Sequence, residues 1–178
     1  MGYGRMGIDS ARGASNIDRF AEALLSRQAN SALPAEDDWF APLLGDWEFD
    51  YQDRSGRHLK GEWYFRRALD GMAIEDLFIC PSRDTREENP QPDGEYGAAV
   101  RMYNRERRCY DMTYICSKGT TRLEVRKEGG VIACTVLEEP SNQWRFVEVT
   151  EDTFHWQNVT KQAEGLQVNC EVFARRIQ

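Results

Sequence analysis

The two histidines and one arginine are the side chains of this sequence with the clearest capacity for chemistry. His58 lies beside a turn among charged residues, so we expect it at the surface. His155 lies in an alternating segment, 154–159, one face of which must point inward. Because an imidazole titrates near neutral pH and binds metals, His155 is the better candidate for a general base or a metal ligand.

Arg101 lies between Val100 and Met102 in an apolar segment. A guanidinium buried there needs a carboxylate partner, and Glu75 and Asp76 on the preceding strand are the candidates. If Arg101 faces a ligand, it would bind a carboxylate or phosphate head group in bidentate fashion. An outward Arg101 in a solvated cross-strand pair is the alternative.

Large aromatic residues occur on several predicted strands and together would suit a flat, apolar ligand. They are Trp63, Tyr103, Tyr114, Phe146 and Trp156. For any single one of them, packing in an ordinary core is the alternative. The chain holds 5 Trp, 7 Tyr and 8 Phe, which favours a pocket that these rings form collectively.

The motifs of common enzyme classes are absent from the sequence. It has no Gly-x-Ser-x-Gly elbow, phosphate loop, His-Glu-x-x-His helix or dinucleotide fingerprint. The five cysteines are odd in number and include no Cys-x-x-Cys pair, which disfavours structural zinc and a disulfide framework. We therefore expect a binding protein more than an enzyme, with no catalytic residue, no metal site and no resident cofactor.

Length and charge restrict the class of partner. At 178 residues the chain suits about one domain, and its net charge of −7 disfavours nucleic acid and anionic lipid as partners. No segment approaches the roughly 18 to 20 apolar residues of a membrane helix, and the first residues do not form a secretion signal. We therefore expect a cytoplasmic protein, with a homodimer as its assembly because symmetric dimers are the commonest kind.

The first 44 residues are predicted to differ from the rest of the chain. Residues 1–14 are rich in Gly, Ser and Arg and are expected to form a disordered leader. Residues 15–44 are expected to form a helical segment that caps the following domain. Apolar residues at helical spacing predict an amphipathic helix from Ile17 to Ala29, which is the candidate lid.

Residues 45–178 alternate between apolar and polar side chains, with turn signals between the runs. This pattern predicts an all-β domain of ten antiparallel strands. Such strands most simply close into an up-and-down barrel, because closure removes the exposed edges, and a two-sheet sandwich is the alternative. A barrel of this size has room for a small ligand. The long polar connection Pro81–Gly94 is expected to be mobile, with a functional loop as the alternative.

Motifs at both ends of the predicted barrel resemble those of lipocalins and related calycins. Gly45-Asp46-Trp47 resembles their Gly-x-Trp signature, and Arg175-Arg176 ends the last strand, where calycins carry an arginine. Further stretches resemble bacterial lipocalin-like proteins of unknown function, and they are 69–71 with 74 and 76, 100–104, 144–146 and 150–156. The resemblance extends from about Leu43 to Arg176.

The resemblance implies a calycin barrel with a structural contact between Trp47 and either Arg175 or Arg176. It also implies a small apolar ligand of the kind that calycins bind. Nitrobindin-like members of the group bind haem through a histidine near the C-terminal end of the barrel, and His155 lies in roughly that region.

The sequence thus predicts a lipocalin-like barrel that binds a small apolar or amphipathic molecule. An enzyme that uses the barrel as its active-site pocket, either a nitrobindin-like haem protein or an isomerase or cyclase, is one alternative. A solid barrel that acts as a protein-interaction module is the other. The candidate ligand-binding residues are Trp63, Glu75, Arg101, Tyr103, Tyr114, Phe146, His155 and Trp156.

Overall fold

A computed structural model describes residues 19–177 of the chain, and the predicted leader lies outside this range. Alternating sequence forms ten strands, which is the number predicted from the sequence pattern. They are β1 Gly45–Asp53, β2 His58–Ala68, β3 Ala73–Cys80, β4 Glu95–Asn104, β5 Cys109–Cys116, β6 Gly119–Glu128, β7 Val131–Val136, β8 Asn142–Val149, β9 Thr153–Gln162 and β10 Gly165–Arg176.

The ten strands form a closed antiparallel barrel. Each strand pairs with its neighbours in the chain, and β10 pairs with β1, for example at Trp47 and Arg176. The predicted up-and-down barrel is therefore confirmed, and the sandwich alternative is wrong. Closure satisfies the backbone groups that an open sheet would leave unpaired at its edges.

Strand alternation fixes which residues face the interior. On β1, Trp47 and Phe49 are buried, whereas the alternating residues Glu48 and Asp50 are exposed. The same period of two places Arg101 and Tyr103 of β4 inside the barrel. The alternative of an outward Arg101 is therefore wrong.

The helix expected to extend to Ala29 is shorter within the described range. Residues 19–24 are helical, and Leu25 then forms an isolated antiparallel bridge with Ala68 at the end of β2. Backbone pairing continues there, since the Ser26 amide donates to the Arg67 carbonyl at 2.9 Å. Extended pairing of this kind is incompatible with helix, so the predicted end at Ala29 is wrong.

One end of the barrel is covered by residues 33–44, which include the 3-10 helices Ala35–Asp37 and Ala41–Leu43. Phe40 and Leu43 of this segment are fully buried in the barrel core. The part of the chain that plugs the barrel is therefore this segment, and not the earlier helix, whose Phe20 is 68% exposed. We call this end of the barrel the closed end.

The closed end is sealed by Trp47 and Arg176. The Arg176 guanidinium lies 4.1 Å from the centre of the Trp47 ring, and the Trp47 indole donates to the Leu43 carbonyl at 2.7 Å. Two guanidinium nitrogens of Arg176 donate to the carbonyls of Leu44 at 2.6 Å and Pro42 at 2.8 Å. These contacts join β1, β10 and the segment 33–44, which we call the plug.

Arg176, and not Arg175, is the arginine that meets the tryptophan. Adjacent residues of a strand point to opposite faces, and Arg175 lies exposed on the outer face of β10.

In the part of the chain that the structure describes, no helix has the length and apolar character needed to cross a membrane.

Candidate ligand-binding site

A cavity of about 140 Å³ lies in the half of the barrel away from the closed end. Its wall is mostly apolar and includes large rings from interior positions of β1, β2, β3, β5, β8 and β9. These rings belong to Tyr51, Trp63, Phe78, Tyr114, Trp144, Phe146 and Trp156.

The floor of the cavity is an ion pair between Arg101 on β4 and Asp76 on β3. Each side chain is only 1% exposed. The Trp63 indole donates to Asp76 Oδ1 at 2.8 Å, which fixes one carboxylate oxygen. On the side of the closed end, the guanidinium of Arg101 lies 4.9 Å from the centre of the Phe40 ring and 5.6 Å from that of Phe65.

Within the pair, Arg101 Nη1 faces Asp76 Oδ2 directly, whereas Arg101 Nε makes no hydrogen bond to any residue in the range 19–177. Burial raises the pKa of Asp76, and the neighbouring charge of Arg101 and the hydrogen bond from Trp63 lower it by less. The floor is therefore a desolvated charge pair in which the Nε–H of Arg101 makes no hydrogen bond to the described residues.

The wall near the mouth depends on a glycine. A Cβ at Gly97 would collide with the Tyr114 ring, so only glycine lets this ring lie against β4. The Tyr114 hydroxyl then donates to Glu95 Oε2 at 2.7 Å. The ring of Tyr114 also packs edge-on against Trp144, with ring centres 5.3 Å apart. Gly97 therefore shapes the cavity without contributing a side chain to it.

Ion pairs lie across the mouth of the cavity. Arg57, in the turn between β1 and β2, donates to both carboxylate oxygens of Asp93 at 2.6 and 2.8 Å, and to Asp53 at 2.9 Å. Lys118, in the turn between β5 and β6, donates to the Asp93 carbonyl at 2.7 Å and to Glu95 at 3.1 Å. These bonds attach the end of the connection between β3 and β4 to both sides of the mouth.

Most of the predicted ligand-binding residues line this one cavity. They are Trp63, Arg101, Tyr114, Phe146 and Trp156. Tyr103 does not line the cavity, although it also points inward. It lies deeper, at the closed end, where its hydroxyl donates to the Asp37 carboxylate of the plug. The expectation that Tyr103 lines the pocket is therefore wrong, because the ion pair of Arg101 separates it from the cavity.

Glu75 and His155 are on the outer surface of the barrel, so placing them in the pocket was wrong. Alternation that turns Asp76 inward turns Glu75 outward. His155 lies beside Glu171 of β10, with Nε2 and the carboxylate 2.9 Å apart, and its ring stacks on Phe173 at 4.4 Å. A haem ligand inside the barrel therefore cannot come from His155. Asp76 is the partner of Arg101.

Further residues of the site were missed in the sequence. Trp144 is two residues from Phe146, and Phe78 is two residues from Asp76, so strand parity could have found both. Arg57 carried no such signal, because it lies outside the strands. Among residues 19–177, no three His, Cys, Asp or Glu side chains lie together in a way that could hold a metal ion.

Comparison with known proteins found no family. No protein-family profile and no curated protein matches the chain. A redesigned β-barrel is similar with a TM-score of 0.40 and 11% identity, over 78% of this chain and 94% of the other. A de novo designed fluorescence-activating β-barrel is similar with a TM-score of 0.39 and 16% identity, over 75% of this chain and 93% of the other. These values carry no inference about function.

Proposed function

We propose that this protein binds a small, largely apolar molecule inside its barrel. The observation that carries the proposal is the aromatic-walled cavity with a buried ion pair at its floor. Ligand sites commonly combine apolar walls with a few convergent polar groups in this way. A solid barrel, as the interaction-module alternative requires, would lack such a cavity.

The size of the cavity limits the part of the ligand that lies inside it. An apolar cavity of about 150 Å³ in a protein core can take up a benzene molecule. The cavity of about 140 Å³ therefore suits one aromatic ring or a group of similar volume. Larger ligands would extend to the mouth, between Arg57 and Tyr114.

The contact between Trp47 and Arg176 supports the resemblance to calycins, whose proteins bind small molecules in barrels. All five cysteines lie in the described range and are free thiols, which supports a location in a reducing compartment such as the cytoplasm. The haem-dependent alternative loses its support because His155 lies on the outer face.

An NMR titration with toluene tests the proposal. The five indole N–H signals report on different places, since Trp63, Trp144 and Trp156 line the cavity, whereas Trp39 and Trp47 do not. We expect saturable shifts at the first three signals and little change at the other two. Absence of saturable shifts, or equal shifts at all five, would contradict the proposal.

A matched pair of variants tests the location of binding. Cys134→Phe adds a ring at a cavity-lining position, and Ile115→Phe adds one on the outer face, where Ile115 is 55% exposed. We expect toluene binding to be lost in Cys134→Phe and kept in Ile115→Phe. Native mass spectrometry of gently purified protein would show whether a natural ligand remains bound.

A further inference from the structure

The polar side chain that a ligand can reach lies nearer the mouth of the cavity than the floor. Asp76 and Arg101 at the floor are each only 1% exposed, so they have almost no surface for a ligand to contact. Asn158 of β9 also lines the cavity, two residues closer to the open end of the barrel than Trp156. Its side chain is half-buried and therefore keeps surface that a ligand can touch.

A chain of side-chain amides fixes the orientation of Asn158. Gln162 Nε2 donates to Gln167 Oε1 at 2.7 Å, and Gln167 Nε2 donates to Asn169 Oδ1 at 3.2 Å. Asn169 Nδ2 in turn donates to Asn158 Oδ1 and to Thr160 Oγ1, each at 2.9 Å. Turning the Asn158 amide over would place its nitrogen against the donor of Asn169, which is unfavourable. The chain therefore ends at Asn158 Nδ2.

Asn158 Nδ2 is a donor without an acceptor on the protein. Its oxygen is bonded to Asn169, but Nδ2 makes no hydrogen bond within residues 19–177. It is also not one of the described unpartnered atoms that are closed to water. Because the side chain lines the cavity, an oxygen of a ligand can accept this hydrogen bond.

The side chains beside Asn158 on this wall are uncharged. Cys170 of β10 is its partner in the strand register, and Tyr51 of β1 lines the cavity next to Cys170. Burial raises the pKa of the Tyr51 hydroxyl and the pKa of the Cys170 thiol above their usual values, so both keep their protons at neutral pH. This wall therefore meets a ligand with O–H, S–H and N–H groups.

The charged side chains that line the cavity are already paired within residues 19–177. Arg101 pairs with Asp76, Arg57 pairs with Asp93, and Glu95 pairs with Lys118. A charged ligand would have to compete with one of these pairs. The earlier expectation that Arg101 receives an anionic head group conflicts with its pairing, because the displaced Asp76 carboxylate would stay buried without a partner.

From these observations we propose that the ligand is an uncharged aromatic molecule with a carbonyl oxygen, and that Asn158 Nδ2 donates a hydrogen bond to this oxygen. The ring lies toward the floor and the oxygen toward the mouth. A cavity of about 140 Å³ takes up one ring, and the carbonyl group extends from it. The proposal rests on the proposed function and narrows its ligand class.

A pair of probes with nearly the same shape tests the role of Asn158. They are acetophenone and α-methylstyrene, which has a methylene group in place of the carbonyl oxygen. The indole NMR titration measures the affinity of both. In Asn158→Leu, which removes the donor at similar side-chain size, we expect acetophenone to lose about three- to tenfold of its affinity relative to α-methylstyrene, the effect of one hydrogen bond.

Gln157→Leu is the matched control, because Gln157 is the next residue of β9 and donates to Glu171 on the outer face at 2.8 Å. We expect this variant to leave the affinity ratio of the two probes unchanged. An unchanged ratio in Asn158→Leu, or the same fall in both variants, would overturn the proposal.

Two spectroscopic signals detect the hydrogen bond itself. The infrared carbonyl band of bound acetophenone should lie at lower wavenumber in the wild-type protein than in Asn158→Leu. In the wild-type protein, the side-chain amide signals of Asn158 should shift more with acetophenone than with α-methylstyrene, a measurement that needs no variant. The same band position in both proteins, or equal shifts with both probes, would overturn the proposal.

Benzoate tests the requirement for an uncharged ligand. At pH 7 we expect it to bind more weakly than acetophenone, and tighter binding would overturn this part of the proposal. If toluene, α-methylstyrene and acetophenone all fail to bind, the proposed function itself fails. If toluene and α-methylstyrene bind and acetophenone gains nothing from Asn158, only the ligand class fails.

Discussion

Removing one member of the buried pair at the cavity floor should destabilise the protein far more than removing both. Arg101 and Asp76 are each 1% exposed, so a single substitution leaves the other charge without a partner in an apolar interior. This lowers the free energy of unfolding by about 3 to 5 kcal/mol. Asp76→Leu also removes the acceptor of the Trp63 indole, which adds about 1 to 3 kcal/mol. Arg101→Met should therefore cost about 3 to 5 kcal/mol, and Asp76→Leu somewhat more.

The double variant, which combines Asp76→Leu with Arg101→Met, should be more stable than either single variant. With both charges removed, the remaining cost is that of the unpaired Trp63 indole, about 1 to 3 kcal/mol. Urea unfolding, followed by tryptophan fluorescence, measures the free energy of unfolding of the wild-type protein, the two single variants and the double variant. At an m value of about 2 to 3 kcal/mol/M, a loss of about 4 kcal/mol lowers the midpoint by roughly 1.3 to 2 M. A double variant as unstable as the sum of the singles would refute the reasoning.

The pH dependence of Arg101→Met distinguishes the two single variants. Burial already raises the pKa of Asp76 above its ordinary value of 3.8, and loss of the Arg101 charge, which lowers it, raises it further. The folded state then takes up a proton more readily than the unfolded state, so stability is gained as pH falls through the raised pKa. Asp76→Leu has no such carboxyl, and its cost should not be relieved in this way.

Other contacts give separate predictions. Arg176→Ala should lower the free energy of unfolding by about 2 to 4 kcal/mol, because carbonyl hydrogen bonds and the contact with Trp47 are lost, and Arg176→Lys should lower it less. The Arg57 guanidinium holds the pKa of Asp93 below its usual value of 3.8. The ion pair of Arg57 and Asp93 should therefore persist from neutral pH down to pH 3.8 and break only below it. Amide exchange of residues 84–92 as a function of pH measures this opening. Burial raises the pKa of the Cys134 thiol to about 12, so iodoacetamide at pH 8 should modify it far more slowly than a free cysteine.

Each of these predictions has a clear contrary result. Equal stability of Arg176→Ala and the wild-type protein would show that the plug holds without the arginine. Faster exchange of residues 84–92 already near pH 6 would show that Asp93 does not control the connection. Alkylation of Cys134 in folded protein as fast as that of a free cysteine would show that burial does not suppress its thiolate.

The strand pattern could be predicted from the sequence because it depends on local signals. Alternation along β1, with Trp47 and Phe49 inside, and turn residues between strands give both the number of strands and their approximate bounds. Closure followed from the physical cost of free edges. The end of the N-terminal helix could not be predicted in the same way, because Leu25 adopts extended pairing with Ala68, a contact between residues far apart in sequence.

The site was predicted in part for the same reason. The inward orientation of Arg101 is one of two that the sequence left open, because both faces of β4 carry apolar residues. The choice between Glu75 and Asp76 required the phase of β3, which apolar residues on both faces obscured. Arg57 contacts the connection between β3 and β4, which the turn between β5 and β6 also contacts. These contacts join residues far apart in the chain, so no local sequence pattern predicts them.

The position of the cavity follows from side-chain size once the inward face of each strand is known. Trp47, Phe65 and Phe154 fill the closed end, where the rings of Trp47 and Phe154 lie 4.8 Å apart between centres. Inward positions of the other half include the small residues Cys134 and Cys170, which line the cavity. Dense packing on one side of the ion pair supports the fold, so the space on the other side can remain without loss of the main core. A barrel that is solid at one end and hollow at the other can therefore admit a ligand, because its stability depends mainly on the packed core at the closed end.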